Sequence, residues 1–261
     1  MLLPFLPHAA TGEVVGTGLD TLLYNWCGAD INNVLRQYDF FAVFEVKNGD
    51  PRNYKGAPKQ AKDARDFVAA HFDAPVFPGI AYVHNREAYK EKLPDGIEVL
   101  IHVSQYDDRR LREAVEGVLE FGRLPDDEKG YIHQILRLSE NKGIPLAPFF
   151  DKSHPRYGKQ IVELLPWCRS RSELAEKLGY TRGLLMELYI ALLFDEQLDE
   201  GDVCVRVPCN DGQGDIDVLV ATTAKAFDRA LQSFPRGVNK RLSRQLRRCL
   251  RDRREQMVEA F

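Results

Sequence analysis

Strands alternating with helices over the first half of the chain, then a mainly helical second half, predict an α/β protein. The expected architecture is a mixed sheet flanked by helices, followed by a second, mainly helical domain that contains a β-hairpin. Three observations carry this. Residues 34–47 (VLRQYDFFAVFEVK) hold two β-rich runs around a polar break at Arg36–Asp39. Residues 76–84 (VFPGIAYVH) and 96–104 (GIEVLIHVS) are two further apolar runs. The segments between and after these runs are rich in helix formers.

Taken in order, PKQAKDARDFVAAHF at 58–72 opens on a proline and continues as a helix. Polar NREAYKEKLPD separates the two later strands, and Asp107 is an N-cap candidate for a helix over 107–122. The texture changes after about residue 125. PDDEKG is polar, 130–140 reads as a short helix, and NKGIPLAPFFDKSHPRYGK at 141–159 is irregular because it is rich in Pro and Gly. The expected division is a first domain over 1–125, a linker over 126–158 and a second domain over 159–261. In that second domain 159–197 is helical, 203–223 (VCVRVPCNDGQGDIDVLVATT) reads as a hairpin around NDGQGD, and the last 35 residues are helical and basic.

The 261 residues, 44% hydrophobic and 29% charged, suit one large or two small globular domains. No apolar run approaches the roughly 20 residues of a membrane helix, so no membrane association is expected. MLLPFLPHAA has no basic n-region and contains Pro4 and Pro7, so it is not read as a signal peptide. Five cysteines without a CxxC pair argue against a zinc site and for a reducing, cytoplasmic setting. The net charge of -3 excludes a uniformly basic nucleic-acid binder. The charge is nonetheless concentrated: Arg236–Arg254 holds nine Lys/Arg (Lys240, Arg241, Arg244, Arg247, Arg248 and Arg251 among them) against Asp252 alone. Such a stripe can neutralise backbone phosphates, and its alternatives are a solvated helix face or an acidic protein partner.

The sharpest chemical feature is FAVFEVK at 41–47. With period 2, Phe41, Val43, Glu45 and Lys47 share one face, while Phe40, Ala42, Phe44 and Val46 share the other. Apolar residues on both faces indicate a strand buried on both sides, where an acid and a lysine are costly unless compensated. A divalent cation supplies that compensation. GADINNVL at 28–35 ends in a β-like run expected to lie antiparallel to 40–47, which would bring Asp30 to Glu45 and Lys47. Two carboxylates with open positions for water and phosphate suit Mg²⁺ or Mn²⁺, held by Asp30 and Glu45. The alternative is a surface hairpin in which Glu45 and Lys47 form a salt bridge.

An Asp, a gap, and Glu-x-Lys at the end of an apolar strand resemble the PD-(D/E)xK phosphodiesterase superfamily over roughly residues 10–125. The resemblance implies a restriction-endonuclease-like mixed sheet, metal binding by Asp30 and Glu45, and a catalytic Lys47. Some branches of the superfamily add a glutamine on the following helix, matched by Gln60, although the aromatic that one branch carries four residues later is Ala64 here. Other branches place an acid on an N-terminal helix, for which Glu13 is the candidate. The proline that often precedes the Asp is Ala29.

A second acidic run, GQGDIDVLV at 212–220, also resembles the acid-bearing strand, and the preceding helix carries Glu187 where the N-terminal acid could sit. No Glu-x-Lys follows Asp217. Three readings stay open: an ordinary hairpin with acids at its turn, a degenerate second nuclease fold, or a site assembled from Asp217 with Glu45 and Lys47 through a permuted topology. RSRSELAEKLGYTRGLLMELYIALLF at 169–194 has the helix, glycine turn and helix of a helix-turn-helix, with the hairpin as a winged-helix-like wing. Its second helix is almost wholly apolar and offers only Arg182 and Glu187 to base edges. His84 and His102 each lie near a strand end.

The expected function is therefore a Mg²⁺-dependent endonuclease acting on DNA, in antiviral defence, mobile-element cutting or repair. The C-terminal domain would hold DNA or a protein partner, and a homodimer would supply the two sites that double-strand cutting needs. The alternative is a non-catalytic, winged-helix-like DNA-binding or adaptor protein.

Overall fold

The computed structural model describes residues 38–84, 92–122, 124–157, 159–208 and 215–258. In chain order the elements are β1 (Phe40–Asn48), α1 (Ala57–His71), β2 (Val76–Val83), β3 (Val99–Val103), α2 (Asp108–Phe121) and α3 (Asp126–Lys142). They continue with α4 (Ala147–Phe150), α5 (Lys159–Val162), α6 (Arg171–Lys177), α7 (Gly179–Asp195), β4 (Gly201–Pro208), β5 (Asp215–Thr222), α8 (Ala224–Ser233), β6 (Val238–Leu242) and α9 (Arg244–Val258). The strands form one mixed sheet in the order β4-β5-β1-β2-β3-β6. β1, β2 and β3 run parallel, while β5 and β6 flank them antiparallel.

β1 sits inside this sheet because its sequence can be buried on both sides. Phe40, Ala42, Phe44 and Val46 join the main core, which α2, α7, α8 and α9 complete with Val115, Leu185, Phe227 and Leu246. Phe41 and Val43 face the other way, against Val68 of α1 and Leu219 of β5. Further along that face Ile80, Tyr82 and Leu100 pack under Ala57 and Ala61. The result is three layers, with α1 on one face of the sheet and the remaining long helices on the other. Local signals start the helices where the sequence places them. The Asp107 side chain accepts the Arg110 N–H at 3.0 Å, and the Ser170 hydroxyl accepts the Glu173 N–H at 3.1 Å.

Three sequence expectations change at this level. The division at 125 and 159 does not separate two bodies, because β4, β5 and β6 complete the sheet begun by β1, β2 and β3, and one core runs from Phe40 to Leu250. The Pro- and Gly-rich stretch carries Phe149 and Phe150 into that core. The β4–β5 hairpin is not a wing, since β5 pairs with β1 from Phe40↔Thr222 to Phe44↔Val218. Nor can α7 read bases through Arg182. That side chain is buried and donates from Nη1 to the Tyr157 hydroxyl at 2.9 Å, while Thr181 is held by Glu128. Among the described residues no helix is long and apolar enough to cross a membrane.

The seam between β1 and β2 has no slack. Gly79 is the register partner of Phe44, and a Cβ there would lie 2.5 Å from the Phe44 ring. That ring cannot yield, because it is buried and packs on Phe194 with centroids 5.0 Å apart. Gly79→Ala is therefore expected to destabilise the fold by about 1–3 kcal/mol, read as a lower urea midpoint at unchanged slope.

Candidate functional site

β1 carries Glu45 and Lys47 to its C-terminal end, and the two side chains form an ion pair. On the neighbouring strand, the ladder between β1 and β5 stops after Phe44↔Val218. Beyond it the Asp217 side chain replaces the missing backbone partner, its Oδ2 accepting the Val46 N–H at 2.7 Å. β5 thus ends its pairing at the point where β1 turns polar, and a carboxylate fills the gap beside Glu45 and Lys47.

The other flank of Asp217 is also irregular. The β4–β5 ladder includes Val205↔Val218 and resumes at Val207↔Ile216. Between these pairs Arg206 adopts φ 55°, a left-handed conformation uncommon outside glycine. The distortion directs its guanidinium at the acids: Nε lies 3.1 Å from Glu187 Oε2 and 3.9 Å from Asp215 Oδ2. Its Nη1 donates to the Tyr180 hydroxyl at 3.1 Å. Glu187 comes from the middle of α7, which the main core holds against the sheet.

Burial governs the protonation of this group. Desolvation pushes Glu187 up to about 7; Arg206 pulls the other way, and Asp215 and Glu45 add repulsion. Asp217 is raised well above the usual carboxylate range, by burial first and then by Glu187 and Glu45. Glu45 is raised by burial against the pull of Lys47. Burial opposes the charge on Lys47, but Glu45, Asp217 and Glu187 outweigh it and hold the ammonium above its ordinary value. With every group ionised, four carboxylates (Glu45, Glu187, Asp215, Asp217) face two cations (Lys47, Arg206), leaving two negative charges uncompensated. As placed, no three His, Cys, Asp or Glu side chains among the described residues converge within reach of one metal ion.

The sequence-derived site is therefore only partly assembled from the expected residues. Glu45 and Lys47 lie together as expected. Asp30 and Glu13 lie outside the described residues. The antiparallel neighbour that brings a carboxylate to Glu45 is β5, with Asp217, because β2 and β5 occupy both edges of β1 over Phe41–Phe44. Gln60 is exposed near the start of α1 and does not join the buried group. His102 occupies the same cross-sheet row as Lys47, two strands away, with Nε2 3.0 Å from the His84 carbonyl oxygen.

The basic stripe divides between β6 and α9. Lys240 is half-buried over the Phe234 ring at 5.9 Å, whereas Arg241, Arg244, Arg247, Arg248 and Arg251 are exposed, with Leu246 and Leu250 buried beneath them. Arg241 shares a cross-sheet row with Glu45 through Ile80 and Leu100, about 14 Å away at the usual strand spacing. Arg206 was the residue missed from the sequence, and its signal was a charge inside the apolar run VCVRV.

A pH dependence follows from these shifts. Glu187 titrates near 7 when folded and near its ordinary 4.5 when unfolded, so between those values the folded state holds the extra proton. Stability is then full below about 4.5 and falls as pH rises through about 7, by roughly 3 kcal/mol for this group. Glu45 and Asp217 act in the same direction. Urea unfolding in EDTA at pH 5 and pH 8 is expected to show the loss, and Glu187→Gln to reduce it.

No family model, curated protein or solved structure matches the chain.

Proposed function

We propose that this protein is a metal-dependent phosphodiesterase that cleaves DNA, with a site built from Glu45, Lys47 and Asp217 and bordered by Glu187. The observation that carries the reading is the Asp217 carboxylate bonded to the Val46 N–H inside the Glu45-Val46-Lys47 tripeptide. It sets the buried Glu45, the partly buried Asp217 and a lysine at the point where β1 and β5 part. The reading matches the PD-(D/E)xK resemblance in a permuted chain order. The Glu-x-Lys strand β1 and its following helix α1 come first, and the acid-bearing helix α7 and Asp-bearing strand β5 come later. Asp217 takes the role expected of Asp30, and Glu187 that expected of Glu13.

The donor chemistry fits a hard divalent cation. Glu45 and Asp217 would hold Mg²⁺ or Mn²⁺, with water and phosphate oxygens completing the shell. When bound, the ion would supply a water of lowered pKa and positive charge for the phosphorane. A divalent cation bound there would take the place of the protons that burial favours on Glu187 and Asp217. The chain's own residues do the rest. Lys47, held as an ammonium by the acids around it, orients the attacking water and offsets the developing negative charge. Arg206 keeps Glu187 and Asp215 from repelling the substrate phosphate. The exposed arginines of α9 supply sequence-independent attraction to DNA. A setting in defence, mobile-element cutting or repair is compatible with such a site, and a homodimer would allow both strands to be cut.

One observation favours a second reading, a non-catalytic DNA-binding or adaptor protein: Glu45 and Glu187 are already paired with Lys47 and Arg206. Cleavage of plasmid and oligonucleotide substrates separates the two. The nuclease reading expects Mg²⁺- or Mn²⁺-dependent nicking that EDTA abolishes. Glu45→Gln and Lys47→Ala should each reduce it by about 100-fold or more with DNA binding retained. A wild type that binds but cuts no DNA or RNA, and loses binding when residues 236–254 are removed, supports the adaptor reading instead.

A further inference from the structure

Among the described residues the large hydrophobic side chains left exposed are Phe121 and Tyr180, the latter 40% exposed. Tyr180 stands at the start of α7, and Glu187 stands seven residues on, so the two share a helix face. Between them on that face is Gly183. This glycine is exposed in an otherwise buried stretch of the helix, and a Cβ built there would meet only Glu187 Oε1, at 4.0 Å. Glycine inside a helix is unfavourable, and here it leaves the strip bare. The strip therefore runs from an exposed ring, across open backbone, to a carboxylate that is 7% exposed.

Arg206 ties the two ends together. Its guanidinium lies 5.5 Å from the Tyr180 ring centroid and donates to the Tyr180 hydroxyl, while Nε faces Glu187. The ring is thus held in place while remaining open to solvent, next to a cation. An aromatic platform beside a cation takes a nucleobase whose phosphates pass the positive charge, and stacking of this kind requires the base to be unpaired.

We propose that the Tyr180–Gly183–Glu187 strip is a track for a single-stranded nucleic-acid segment. One base stacks on Tyr180, the backbone crosses Gly183, and the next phosphate reaches Glu45, Lys47 and Asp217. The inference rests on the phosphodiesterase reading and makes it more specific: the substrate is single-stranded, or a duplex with an unpaired end or flap.

The test uses the full chain with oligonucleotides that carry 2-aminopurine, single-stranded and fully duplex. Binding is read by fluorescence in EDTA, and cleavage kinetics are then read with Mn²⁺. Tyr180→Leu removes the platform, and Tyr180→Phe keeps it. Gly183→Leu fills the strip, and as a better helix former at an exposed helical position it does not lower Tm. The wild type and Tyr180→Phe are expected to stack the probe when single-stranded and not when duplex. Tyr180→Leu and Gly183→Leu should each raise KM for the single strand by about tenfold or more at unchanged kcat. If both variants bind and cut single strands like the wild type while Glu45→Gln is inactive, the strip is wrong and the phosphodiesterase reading stands. If the wild type stacks the probe but cuts nothing with Mn²⁺, the strip stands and the hydrolytic reading falls.

Discussion

The pairing of β5 with β1 is the constraint on which the rest of the structure depends. β1 is apolar on both faces and needs a partner on each edge. One edge goes to β2, its neighbour through α1, and the other to a strand more than 160 residues downstream. That long-range pairing closes one sheet from both halves of the chain and sets α7 across its face. It also decides where the pairing must end. At Val218 the ladder stops because the next position of β5 is Asp217 and the next position of β1 is Glu45. The strands part at two acids, and a side-chain carboxylate takes over the hydrogen bond that the backbone gives up.

Several chemically unusual features cluster at this parting. Arg206 is strained in φ opposite Asp217, Glu187 titrates near neutrality, and Lys47 is held charged although burial opposes it. The first two are unfavourable for a protein that only has to fold. A buried acid next to other acids destabilises the folded state, and a non-glycine residue with positive φ adds strain. A site that must attract a divalent cation and a phosphate has use for an excess of buried negative charge and for a pair of cations that can rearrange around it. Gly183 fits the same pattern, because it weakens a core helix while leaving a path along it.

The sequence made the local parts of the fold legible and hid the pairings. The double-faced apolar character of β1, the helix over Ala57–His71, the strands β2 and β3 and the Asp107 cap all follow from periodicity within short windows. Which strand lies beside β1 does not. The segment before Arg36–Asp39 was the natural choice because a hairpin is the cheapest pairing in chain entropy, so Asp30 was expected at Glu45. DIDVLV carries an equally good strand and its own acid, but nothing local ties it to β1. The linker over 126–158 rests on Pro and Gly in NKGIPLAPFFDKSHPRYGK, yet Phe149 and Phe150 anchor that stretch in the core. Glu45 and Lys47 were legible because a charge in an apolar strand needs a reason. The same argument applied to Arg206 in VCVRV would have pointed to the second flank of the site.

The central claim is that Asp217, not Asp30, completes the site with Glu45. Calorimetric titration of Mn²⁺ tests it most directly, using the wild type, Asp217→Asn and Asp30→Asn. An asparagine at 217 can still accept the Val46 N–H, so the strand end is preserved while the charge is lost. The account predicts that Asp217→Asn abolishes Mn²⁺ binding and that Asp30→Asn leaves it unchanged. Binding retained in Asp217→Asn and lost in Asp30→Asn would contradict it and return the metal to Asp30.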